Sequence, residues 1–224
     1  MKIVAHELGQ LLYLIPLEEL RPLHGIYPLT FVTKLAERYK FLTGPDLSEP
    51  WEKINSEGFK FDSGRIMKDG VELFVNSLGI YHDGIVVNCY TTDDAQTFLD
   101  DALEWAKAEF GLRRPTSIPR IRYQSHIIVE FDKQLSTLIV NFENITDVLG
   151  KYYSQLYGIS NSPKLNRLSF RCDPQSLPQG AMETHFSLER RANHPFTDER
   201  FFSVAPLTSA AHVAILEEIE AFAQ

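Results

Sequence analysis

Apolar positions change period several times along this chain, and each change marks an element. Ile3–Ala5 and then Gln10–Leu17 are apolar and extended in character. Pro22, Gly25 and Pro28 then punctuate the chain. Phe31, Val32, Leu35, Ala36 and Tyr39 share one stripe at helical spacing, which predicts a helix over about 29–41, stopped by Gly44-Pro45. Residues 44–58 read as a loop anchored by Trp51. Alternation with a period of two predicts strands at 59–67, 71–81 and 84–90. Asp83-Gly84 forms the tight corner of the last hairpin, with glycine taking the positive φ of a type I′ turn.

A longer helix is expected over 93–110, because Ala95, Phe98, Leu99, Ala102, Leu103, Ala106 and Phe110 make one continuous apolar face. Thr91 or Thr92 suits its N-cap, Asp93 and Asp94 suit the positive end of its dipole, and Gly111 suits its stop. The two prolines within Arg113–Pro119 make that stretch the best internal linker, dividing an N-terminal unit (1–112) from a C-terminal unit (120–224) that could still be one continuous domain.

Beyond the linker the pattern predicts strands at 120–131 and 137–142, then a helix at 145–157 capped by Asn144 and stopped by Gly158. At an offset of 53 residues Ile85–Asn88 falls on Leu138–Asn141, and Thr91 and Asp94 fall on Asn144 and Asp147. A duplicated hairpin-plus-helix unit is one reading of that match; periodicity shared by any two such units is the other. The last third predicts strands at 165–172, 181–190 and 200–204. A closing helix at 209–222 turns His212, Ile215, Leu216, Ile219 and Phe222 inward. Hairpins closed by helices point to an α+β fold, with antiparallel sheet built from ββα units and helices on one face.

Composition narrows the functional classes. The chain has 224 residues, 44% of them apolar and 23% charged, enough for a real core. Its net charge of −8 disfavours broad attraction to nucleic acid or an anionic membrane. The longest apolar run, Leu11–Leu17, is seven residues and holds Pro16, far short of the roughly 20 that a membrane helix needs. The amino terminus lacks the basic flank and apolar stretch of a secretory signal, so a cytoplasmic protein is expected. Cys89 and Cys172 are then expected as buried free thiols, and Asn144-Ile145-Thr146 as a helix start rather than a glycosylation site.

The chemistry-bearing motifs are few. There is no glycine-rich phosphate loop, paired-cysteine site, helical two-histidine motif or Gly-x-Ser-x-Gly elbow, and no cofactor or metal is expected. His82-Asp83 sits at a hairpin tip and reads as a turn. His126, His185 and His194 would form a ligand set only if their strands converged.

Four arginines, Arg113, Arg114, Arg120 and Arg122, occur in ten residues without an acid, a candidate patch for an anion or an acidic partner. Arg120 and Arg122 share one face of a strand. The alternative is a ligand site near 185–200, with His185, Arg190, Arg191 and His194 around an anionic substrate. Tyr152, Tyr153 and Tyr157 crowd one helix beyond what a single stripe buries, and Tyr153 is expected to face outward. Missing catalytic motifs, surplus aromatics and a local arginine cluster together favour a non-catalytic protein that binds a protein partner or itself. An enzyme or small-ligand binder at 185–200 is the second reading.

Overall fold

The computed structural model of the chain describes residues 1–22, 24–46, 48, 57–68, 70–139, 142–158, 163–173 and 185–223. Trp51 and most of the loop expected over 44–58 lie outside these residues, as do positions 181–184 of an expected strand. The chain divides into two compact units. One comprises 7–125 with 207–209; the other comprises 1–6, 126–206 and 210–224.

In the first unit the strands are β1 (Lys2–Leu14, from Glu7 onward), β2 (Phe59–Lys68), β3 (Val71–Tyr81), β4 (Gly84–Cys89) and the opening half of β5 (Arg120–Glu130). They neighbour one another in the order β2-β3-β4-β1-β5. The β2–β3, β3–β4 and β1–β4 ladders are antiparallel. Helices α1 (Pro28–Tyr39) and α2 (Thr92–Phe110) belong to this unit. Leu11, Tyr39, Phe61, Val87, Phe98 and Leu99 are the centre of its core. Rings pack edge-on there, Tyr39 against Phe98 at 4.8 Å and against Trp105 at 5.9 Å, the geometry that aromatic quadrupoles favour.

Local chemistry explains the helix ends. The Thr91 hydroxyl accepts from the Asp94 backbone N–H at 3.1 Å and donates to the Asp94 carboxylate at 2.7 Å, while Gly111 closes α2 at φ 70°. Helix α1 stops earlier than Gly44-Pro45 would require. Lys40 takes the left-handed conformation at φ 50° and its N–H returns to the Ala36 carbonyl. The chain then pairs with β2 through Thr43 and Asp62 before the glycine is reached.

The β3–β4 corner also departs from expectation. Tyr81 pairs with Gly84, so His82 and Asp83 are the two loop residues, and neither they nor Gly84 has a positive φ. The type I′ turn is therefore not formed. Gly84 is needed for another reason: a Cβ there would stand 2.5 Å from the Tyr13 carbonyl oxygen, where β1 crosses closely. The turn carbonyls are used as well, Asp83 accepting from Ile15 N–H and His82 from Leu17 N–H.

In the second unit β5 is followed in order by β8 (Arg200–Ala205), β7 (His185–Arg190) and β6 (Arg167–Arg171), with β6–β7 and β7–β8 antiparallel. Helices α3 (Phe142–Tyr157) and α4 (Ser209–Phe222) complete it. Ile127, Val129, Leu135, Leu188, Phe201 and Leu216 form its core. With eight antiparallel strands and four helices among the described residues, the fold is α+β.

The strand expected over 137–142 is not formed at the described residues 137–139 and 142. Leu135–Leu138 is a 3₁₀ turn with Leu135 fully buried, and α3 begins at Phe142, which places Asn144 inside the helix and not at its cap. The offset-53 match therefore pairs a strand residue, Ile85, with a turn residue, Leu138, and a cap, Thr91, with a helical interior residue. A duplicated hairpin-plus-helix unit therefore finds no support among the described residues. Gly158 does end its helix, at φ 67°.

Helix α4 has the expected bounds with a rotated inner face. Ser209, His212 and Leu216 are buried, Ile215 is at the exposed margin, and Phe222 is 74% exposed while Ala223 takes the buried place beside it. Cys89 is a buried free thiol, its pKa pushed up to about 12 by burial, whereas Cys172 is free and exposed, contrary to expectation.

Candidate functional site

Helix α3 carries its apolar residues on the outside. At 100° per residue, Ile145, Leu149, Tyr152 and Leu156 fall within an arc of about 60°, with Val148 and Tyr153 on its two flanks. All six are exposed, Ile145 by 52%, Tyr152 by 58% and Leu156 by 68%. On a different side of the helix Thr146 is buried and Gly150 half-buried. An amphipathic helix normally turns its apolar arc to the core. Here most of that arc is left over. The tyrosine surplus pointed to this helix and Tyr153 does face outward, but at 39% it is less exposed than Tyr152. The aliphatic residues around them form the larger share of the surface.

The four arginines of the expected patch lie in the first unit in different settings. Arg113 donates from its guanidinium to the backbone carbonyls of Arg21 and Glu18, and its own N–H reaches the Leu20 carbonyl. Glu19 accepts from the backbone and hydroxyl groups of Thr116 and Ser117 at 2.8–2.9 Å, which lowers its pKa to about 2. The stretch expected as a linker is thus tied to residues 18–21. Arg114 and Arg120 are exposed; Arg122 is half-buried and has an interaction of its own.

The residues of the alternative site are spread over the second unit. His185 opens β7 and Arg190 closes it, about 17 Å apart at strand rise, so His185 and the loop bearing His194 lie at opposite ends. Arg190 is buried and wholly engaged. Its guanidinium donates to the Leu165 carbonyl at 2.6 Å, the Phe196 carbonyl at 3.0 Å and Glu199 Oε1 at 2.8 Å, and lies over the rings of Phe196 and Phe201. Arg191 lies over Phe202. His194 approaches Asp198 and Arg200, and Arg200 is paired with Glu130 at 2.6 Å. These contacts fasten the 191–199 loop to the sheet. His126 packs edge-on to Phe202.

One pairing escaped sequence reasoning. The Ser203 hydroxyl donates to the Ser187 carbonyl at 3.0 Å and lies 2.8 Å from His212 Nε2. A serine beside a histidine is a nucleophile and base only where a substrate can reach the hydroxyl. Both residues are fully buried, so here the pair satisfies polar groups within the core. Burial, together with the nearby His126 and His6, lowers the His212 pKa to about 4. Only the strand–helix register joins residues 203 and 212, and no motif announces it.

Compared with known proteins, the chain matches no family model and no curated protein. None of the described helices is long and apolar enough to cross a membrane.

Proposed function

We propose that this is a non-catalytic cytoplasmic protein that works by self-association, two copies packing through α3. The observation that carries the reading is the outward apolar arc of Ile145, Leu149, Tyr152 and Leu156. Contiguous exposed apolar surface of this kind marks interaction sites in folded proteins. Six exposed side chains amount to several hundred Å², a substantial part of the roughly 800 Å² that each partner gives to a standard interface.

The arc is also self-complementary. Read backward, its spacing repeats: in an antiparallel pair centred between Gly150 and Lys151, Ile145 meets Leu156, Leu149 meets Tyr152 and Val148 meets Tyr153. Asp147 then lies opposite Ser154 and Lys151 opposite Gly150, so no like charges are brought together. A two-fold contact requires a patch that matches itself in this way. Charged residues at the arc would be expected if this helix faced only solvent, or a flanking row of lysines if it lay on an anionic membrane; it has neither.

Sedimentation equilibrium tests the reading. The unmodified chain should show a concentration-dependent dimer, and Leu149→Glu with Leu156→Glu should hold it as a folded monomer with unchanged circular dichroism, because both positions are exposed in the single chain. A chain that stays monomeric at every accessible concentration, or a dimer that persists in the double variant, would overturn it.

A further inference from the structure

The first unit contains a cavity of about 260 Å³, bounded by α1, α2, the β3–β4 hairpin and the segment after β1. Its wall is apolar over most of its extent, with Leu35, Leu78, Leu99 and Leu103 among the lining residues. The volume arises from small residues: α2 presents Ala102 and Ala106 beside its leucines, and Gly58 lines the other side. Gly58 cannot be enlarged, since φ is +76° and a Cβ would stand 2.6–2.9 Å from the Tyr81 ring and the Ile80 carbonyl oxygen.

The polar lining residues are Glu18, Arg21, Tyr81 and His82, and of these Glu18, Arg21 and His82 are exposed. The Arg21 guanidinium has no hydrogen bond or ion pair among the described residues, so its five donors are available. Arg113, which is not among the lining residues, donates its guanidinium to the carbonyls of Arg21 and Glu18 and so holds the backbone that carries Arg21. Glu19 is occupied by Thr116 and Ser117, while the exposed Glu18 carboxylate stays at the rim with Arg21. A greasy interior below the Arg21 guanidinium is an arrangement that suits an apolar tail ending in an anionic head.

We infer that this cavity binds a single-chain carboxylate of medium length, tail inward and head group on Arg21. The volume sets the length. An apolar cavity of about 150 Å³ accommodates benzene, and at about 30 Å³ for each water-sized group this one takes a tail on the order of eight carbons. Guanidinium donors match a carboxylate in pairs, which fixes orientation as well as charge. The site lies wholly in the first unit and is independent of α3.

Isothermal titration with octanoate and octanol distinguishes tail from head. Octanoate should bind the unmodified chain, Arg21→Gln should weaken it at least tenfold, and octanol should bind both chains alike. Ala102→Leu, which fills the cavity, should abolish both while the protein keeps its circular dichroism and melting transition. Should Ala102→Leu fail to fold, the chemical shifts of the Leu35, Leu99 and Leu103 methyls in the unmodified chain take its place, and they should move on octanoate addition. No octanoate binding, octanoate binding that Arg21→Gln leaves unchanged, or methyl shifts confined to residues elsewhere would each overturn the inference.

Discussion

Single residues decide more here through burial than through identity. Histidine at 212 is readable from the sequence as an inward helix residue; its place beside Ser203 is not, because contact across a strand and a helix leaves no trace in local spacing. Its pKa, lowered from 6.5 to about 4, has a signed consequence. Between these values the unfolded chain binds a proton that the folded chain refuses, so stability is complete above about pH 6.5 and falls as the pH drops toward 4. Melting temperatures across this range should decline more steeply for the unmodified chain than for His212→Gln, which has no titration to lose; parallel slopes would show that His212 is not the group responsible. Leu99, 1% exposed in the α2 face, is fully legible from periodicity. Its replacement by alanine should cost about 2–5 kcal/mol in chemical denaturation, whereas a cost below about 1 kcal/mol would mean that the neighbouring cavity already absorbs the loss. Arg190 marks the opposite case. A charged residue entering a polar loop reads as a candidate ligand, yet three hydrogen-bond partners and two rings hold it inside the protein.

At the scale of elements, legibility tracks the strength of the local signal. β3, β4, α2 and α4 lie within a residue or so of where alternation, caps and helical stripes place them. The departures arise where tertiary demand prevails over local pattern. Leu138 and Ile139 are good strand residues, but the burial of Leu135 draws their segment into a 3₁₀ turn. Asp-Gly is a strong hairpin signal, but the close approach of β1 assigns the glycine to the strand. Proline makes 113–119 look like a linker, while the hydrogen bonds from Thr116 and Ser117 to Glu19 can be found only in three dimensions. Helix α3 shows both sides of the matter. Its amphipathic stripe is plain in the sequence; that the stripe is exposed while Thr146 is buried can be found only in three dimensions.

For the whole molecule, composition carries some information and short motifs carry little. A net charge of −8 is compatible with a guanidinium at the mouth of one cavity, because Arg21 acts locally. Neither proposed site is legible as a site in the sequence. The cavity is assembled from segments between residues 17 and 112, and the α3 surface exists only because the fold leaves it uncovered. Self-association through that surface is the central claim, and cross-linking tests its geometry directly. In a Cys172→Ser background, chains carrying Leu149→Cys are mixed with chains carrying Tyr152→Cys and mildly oxidised. The antiparallel pairing predicts a disulfide joining one chain of each kind, well in excess of the two-to-one share over each homodimer that random pairing gives, because the unlike positions come within the Cβ separation of about 3.5–4.5 Å that a disulfide allows. The 1:2:1 ratio of random pairing, or no cross-link at concentrations where a dimer sediments, would contradict it.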